Sequence, residues 1–141
     1  MKAGNPQIPK EFIIIGFLGA LAVALGALGA HFLKGKLDTG LITAEQVNGF
    51  DTGVKYHIYH VLAMLMIVLM KNTYQSRFLN SAYGFFFWGI VLFSGSLYFL
   101  CTRNLFGAEW LKILGPVTPI GGLAFVAGWL CLCIAAIYKK Q

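Results

Sequence analysis

Charge is scarce in this sequence. Only 11% of its 141 residues are Asp, Glu, Lys or Arg, against about 25% in a typical soluble domain. Hydrophobic residues make up 58%, and so thin a polar complement cannot cover a soluble core of that size. Redox and metal spacings are missing too. The three cysteines, Cys101, Cys131 and Cys133, contain no Cys-x-x-Cys pair. Cys131 and Cys133 are two apart, so on a helix they point in roughly opposite directions. The histidines lack the spacing and acidic partner of His-Glu-x-x-His. No cluster of four or more basic residues exists, which removes a nucleic-acid footprint.

What is present is four long apolar runs, at about 12–33, 54–70, 82–101 and 117–138. Some 20 residues at 1.5 Å each cross a hydrocarbon layer of about 30 Å. The expected fold is therefore all-α, a polytopic integral membrane protein built as one membrane domain over 1–141. The first run is too long for the apolar part of a signal peptide, so it reads as a span. Between the first two runs, Thr43 and Gln46 have the form of a capping box, and Val47, Phe50 and Val54 follow at helical spacing. This predicts a short interfacial helix over about 43–53, bent or frayed by Gly49 and Gly53. Phe50→Asp is then expected to weaken its hold on the membrane.

The formal charge is +6. Its basic residues sit between the apolar runs, where they set topology and meet anionic head groups. Lys2, Lys10, Lys71, Arg77, Lys139 and Lys140 fall on one side, and Lys34, Lys36, Lys55, Arg103 and Lys112 on the other. Six against five predicts both termini in the cytoplasm.

Small residues mark the expected packing faces. In span one, Gly16, Gly19, Gly26 and Ala30 recur at helical spacing, and such a stripe lets helix backbones approach in lipid. Gly95, Gly121 and Gly122 are the candidates in the later spans.

Alternating spans bring the polar residues to one end of the bundle. Span one ends at His31; span two begins with Asp51, Lys55, His57, Tyr59 and His60; span three ends near Ser94, Ser96, Tyr98 and Cys101; span four begins with Thr118. His31, Asp51, Lys55, Tyr59, His60, Ser94, Ser96 and Thr118 form a candidate polar pocket. Three readings of it stay open. Intramembrane polar groups commonly hydrogen-bond between helices. They also line sites for a ligand, a lipid head group or a proton. His31, His57 and His60 are the candidates for a metal or haem ligand set. Ser94, Ser96 or Cys101 beside a histidine would be needed for nucleophilic chemistry, and no spacing fixes that arrangement.

Four segments carry a likeness: GALGAH at 26–31, FDTGVKYHIYH at 50–60, LFSGSLY at 92–98 and LGPVTPIGGLAFVAGWL at 114–130. In this order they resemble the DUF423 family of small bacterial membrane proteins, and the eukaryotic transmembrane protein 256 group is similar. The resemblance implies four spans, a bacterial inner membrane and no established activity. It places His31, Asp51, Gly53, Tyr59, His60, Ser94, Gly95, Ser96, Pro119, Gly121 and Gly122 at motif positions. His57 stands where relatives are expected to carry other polar residues. The resulting expectation is a non-enzymatic accessory or binding protein in the lipid bilayer, with no cofactor and no nucleic-acid partner. Its partners would be a second copy, another membrane protein, or a lipid or small-molecule ligand. A small transporter or proton-coupled carrier is the alternative, and a membrane metalloprotein or enzyme the third.

Overall fold

The computed structural model describes residues 8–138, which form four long helices with no strand among them. They are α1 Glu11–Asp38, α2 Ala44–Lys71, α3 Arg77–Phe106 and α4 Glu109–Ile137. Each has 28 to 30 residues, about 42–45 Å of helix, enough for the apolar layer and both head-group zones. Of the charges used to orient the chain, Lys2, Lys139 and Lys140 lie outside the described residues.

Local chemistry sets the helix ends. The Thr43–Gln46 box caps α2: Gln46 N–H donates to Thr43 Oγ1 at 3.2 Å, and Thr43 N–H donates to Gln46 Oε1 at 2.9 Å. Ser76 caps α3 by accepting from Phe78 N–H at 3.3 Å. Gly40 and Gly107 adopt left-handed φ values of 73° and 61°. These glycines follow α1 and α3 and let the chain reverse without a Cβ penalty.

The expected interfacial helix over 43–53 is not a separate element. It forms the first turns of α2, unbroken through Gly49 and Gly53. Packing overrides their low propensity. A Cβ at Gly49 would lie 2.7 Å from Cys101 Sγ, and one at Gly53 3.1 Å from the Tyr98 ring. Phe50 faces inward, 2% exposed, rather than toward lipid. Likewise α1 continues to Asp38, so the first connection is short.

Two cores stack along the bundle. The larger joins Ile15 and Leu18 of α1, Val61, Met64, Ile67 and Val68 of α2, Leu79, Phe86 and Ile90 of α3, and Phe125 of α4. The smaller, at the first-loop end, joins Leu33, Ile42, Phe50 and Cys101.

α3 and α4 interlock through glycines. The Phe125 ring fills the space a Cβ would need at Gly89, and the Phe86 ring lies 2.5 Å from a Cβ position at Gly128. Gly121 sits against the Phe93 backbone itself. A Cβ at Gly122 would make only ordinary contact with the Phe93 ring, at 3.7 Å. Cβ positions at Gly19 and Gly26 of α1 lie 3.7 and 3.4 Å from Val61 and Val54 of α2.

The packing expectation needs two corrections. Ala30 is exposed, because a π-helical turn over Gly29–Leu33 shifts the stripe's register and puts Gly29 against Phe50 instead, where a Cβ would lie 3.0 Å from the ring. A Cβ at Gly95 would meet no neighbouring helix, only the Ile90 carbonyl of its own, at 4.0 Å. It directly follows a second π turn, Ile90–Ser94.

Candidate functional site

The polar residues divide between a buried seam and an exposed rim. His60 is the best-anchored member of the seam. Its Nδ1 lies 2.7 Å from the Tyr56 carbonyl, and its Nε2 lies 3.2 Å from the Trp129 indole nitrogen. A carbonyl only accepts and an indole N–H only donates. His60 is therefore the neutral Nδ1–H tautomer, donating along α2 and accepting from α4. Its ring stacks on Phe125, centroids 3.5 Å apart and 9° from parallel. Both nitrogens are engaged, so a metal would have to displace the tryptophan.

His57, one turn earlier, reaches a different neighbour. Its Nδ1 pairs with the Tyr98 hydroxyl of α3 at 3.0 Å. Its Nε2 is buried without a partner. Ser94, fully buried beside Tyr98, has no well-formed hydrogen bond at Oγ. Ser96 donates to the Phe93 carbonyl at 2.9 Å and meets the Thr118 hydroxyl at 2.7 Å. Since Ser96 has spent its one proton, Thr118 is the donor in that pair. The seam thus ties α2 to α3, α2 to α4, and α3 to α4.

The other predicted residues lie elsewhere. Asp51 and Lys55 form an ion pair of 2.7 Å with both side chains more than half exposed. Tyr59 is exposed on the outer face of α2. His31 is exposed on α1, within its π turn. Hence the eight residues do not enclose one pocket: His60, Ser94, Ser96 and Thr118 are internal, while His31, Asp51, Lys55 and Tyr59 are not. Nor do His31, His57 and His60 converge as ligands. Among the described residues, no three His, Cys, Asp or Glu side chains form a metal-binding group.

Sequence reasoning missed two features. Trp129, the donor to His60, sits 69 positions away, beyond the reach of any spacing rule. At the first-loop end, Gln46 also accepts from Asn104 Nδ2 at 3.4 Å. Gln46 Nε2, Arg103 Nε and Asn104 Oδ1 are buried there without partners. The capping box gave a signal for Gln46; nothing local gave one for Asn104.

A cleft of about 220 Å³ opens between α1 and α2 at this end. Gly26, Gly29, Ala30, Val47, Phe50 and Val54 line its apolar part, and Lys34, Asn48 and Asp51 its polar part.

Four apolar helices, a glycine interlock and polar groups bonded helix to helix define an all-helical, four-span integral membrane protein. The family model described as "Protein of unknown function (DUF423)" matches residues 25–122. The chain is 40% identical over 130 residues to the UPF0382 membrane protein YwdK of Bacillus subtilis, covering 91% of this chain and 97% of that one. It is 43% identical to the UPF0382 membrane protein SERP0230 of Staphylococcus epidermidis, covering 91% and 96%. It is 42% identical to the UPF0382 membrane protein SAB0533 of Staphylococcus aureus, covering 89% and 94%. The chain belongs to the DUF423 family. No solved structure matches it.

Proposed function

We propose that the chain is a non-enzymatic binding or accessory protein of the bacterial inner membrane, and that it recognises a lipid head group or small amphiphile in the cleft between α1 and α2. The cleft carries this reading. It joins an apolar floor to a cation, an amide and a carboxylate at one end of the bundle, a combination that suits an amphiphile. The seam supports it by exclusion: Ser96 is bonded to Thr118 rather than to a histidine, and His60 has no free nitrogen. A nucleophile needs an adjacent base, and this pairing supplies none. The six-to-five count of basic residues supports cytoplasmic termini.

Native mass spectrometry of the detergent-purified chain tests the reading. Ala30 is exposed and lines the cleft, so Ala30→Trp fills it from the rim. A co-purified small molecule should be present in the wild type and absent in the variant. A wild type that carries none, or equal occupancy in both, refutes the cleft as the site.

The unpartnered His57 Nε2, buried between helices, favours a second reading, a proton-linked carrier. Proteoliposomes with a pH-sensitive dye inside should then acidify under a gradient, and His57→Gln should stop it. No flux above protein-free vesicles refutes this reading.

A further inference from the structure

The end of the bundle opposite the cleft holds two larger cavities. One, of about 630 Å³, has an apolar wall that includes Met70, Leu79, Leu132 and Ala135, contributed by α2, α3 and α4. The other, of about 800 Å³, is lined in part by Arg77 and Phe78. They share Gln75, Ser76 and Tyr138. The larger bundle core lies behind the apolar wall, so this groove opens outward from packed helices.

Arg77 is the unusual residue here. Among the described residues its guanidinium meets no carboxylate, and it rests against the Phe78 ring, 5.1 Å from the centroid. Its neighbour in charge, Lys71, is already committed to Glu11 at 3.8 Å and to the Tyr83 ring. Arg77 is also the first residue of α3, and the first turn of that helix holds no acidic residue. The positive end of the helix dipole disfavours a cation at that position. Ser76 already caps that end, so it is the guanidinium, held beside the positive end of the dipole, that an anion would relieve.

We infer that this groove binds an anionic phospholipid, with the phosphate at Arg77, the glycerol region against Gln75 and Ser76, and an acyl chain along Leu79, Leu132 and Ala135. The combination matches that ligand on three counts. The apolar wall suits a chain, the polar rim suits esters and hydroxyls, and the uncompensated cation suits a phosphodiester. A cavity of about 630 Å³ lies within the roughly 300–1,000 Å³ of small-molecule sites. The inference is independent of the cleft between α1 and α2.

The test is native mass spectrometry of the full chain released from vesicles of phosphatidylcholine and phosphatidylglycerol in equal parts. One phosphatidylglycerol per chain should be retained in preference to phosphatidylcholine. Arg77→Gln, an exposed change that leaves the core intact, should weaken retention about fivefold. Ala135→Trp should block the acyl chain and abolish retention even with Arg77 present. Circular dichroism and elution volume check that each variant is folded, and Arg77→Gln alone decides the case if Ala135→Trp is not. Equal retention of the two lipids, or wild-type selectivity in Arg77→Gln, overturns the inference. So does a dimer that retains no lipid, which would assign the groove to a second copy.

Discussion

Gly121 and Gly122 are adjacent in sequence, yet the same substitution should act on them in opposite directions. A Cβ at Gly121 would overlap the backbone nitrogen of Phe93 and come within 2.7–2.8 Å of Phe93 Cα and the Leu92 carbonyl carbon. Backbone cannot rotate away as a side chain can, so α3 and α4 must separate. Overpacking of this kind costs about 1–3 kcal/mol. Replacing a helical glycine by alanine returns about 0.5–1 kcal/mol of backbone entropy. Gly121→Ala should therefore destabilise by about 1–2 kcal/mol net. At Gly122 the nearest atom to a new Cβ is Phe93 Cδ2, at 3.7 Å, an ordinary contact. Gly122→Ala should be neutral or stabilising by up to about 1 kcal/mol. The assay is unfolding of the purified chain from mild detergent by titration with sodium dodecyl sulfate, followed by tryptophan fluorescence. Trp129 lies two turns along α4 and reports on the same interface. Equal stabilities, or a larger loss at Gly122, would refute the claim that backbone contact at Gly121 sets the helix spacing.

Three further outcomes follow from particular contacts. Trp129→Phe keeps an aromatic side chain, though a smaller one, and removes the donor to His60. A double-mutant cycle with His60→Ala should give a coupling of about 0.6 kcal/mol and no more than about 1.7, the range for intramembrane hydrogen bonds; zero coupling would dismiss the bond. Thr43→Ala removes the acceptor for Gln46 N–H and should cost about 0.5–2 kcal/mol, with faster amide exchange confined to the first turn of α2. Asp51→Asn breaks an exposed pair with Lys55 and should leave unfolding unchanged at moderate salt; a clear loss would show that the pair is load-sharing.

The four helices were legible because hydrocarbon thickness imposes a length that composition alone reveals. The α2 cap was legible for a different reason, since both its bonds lie within one turn. What escaped was everything set by contacts between helices. Gly49 and Gly53 look like breaks in sequence, but α3 packs against them and the helix runs on. For the same reason Phe50→Asp should unfold the first-loop end rather than release it from the membrane, since the side chain is buried. Alternating direction brought the polar residues to one end, as expected. Direction says nothing about rotation, however. His57 and His60 turned inward to separate partners, while Asp51, Lys55 and Tyr59 turned out. Gly89 and Gly128 were missed because each is defined by a phenylalanine on the other helix.

The π turn at Ile90–Ser94 has a consequence for how α3 serves two neighbours. Before it, Phe86 and Gly89 are fitted to α4, as is Phe93 within it; after it, Leu97, Tyr98 and Cys101 are fitted chiefly to α2. An α-helix advances about 100° per residue, so the inserted residue works like the offset on a vernier, aligning two scales that a regular helix could match only one at a time. Removing a single residue from that turn would leave composition and hydropathy almost untouched. It would let the i→i+5 bonds close as i→i+4 bonds and leave both halves facing their own neighbours. A residue inserted into the regular helix after the turn would instead rotate one half against the other by about 100°, and Tyr98 would swing away from His57 while Gly89 still held Phe125. A one-residue deletion inside the π turn should therefore be far better tolerated than a one-residue insertion beyond it.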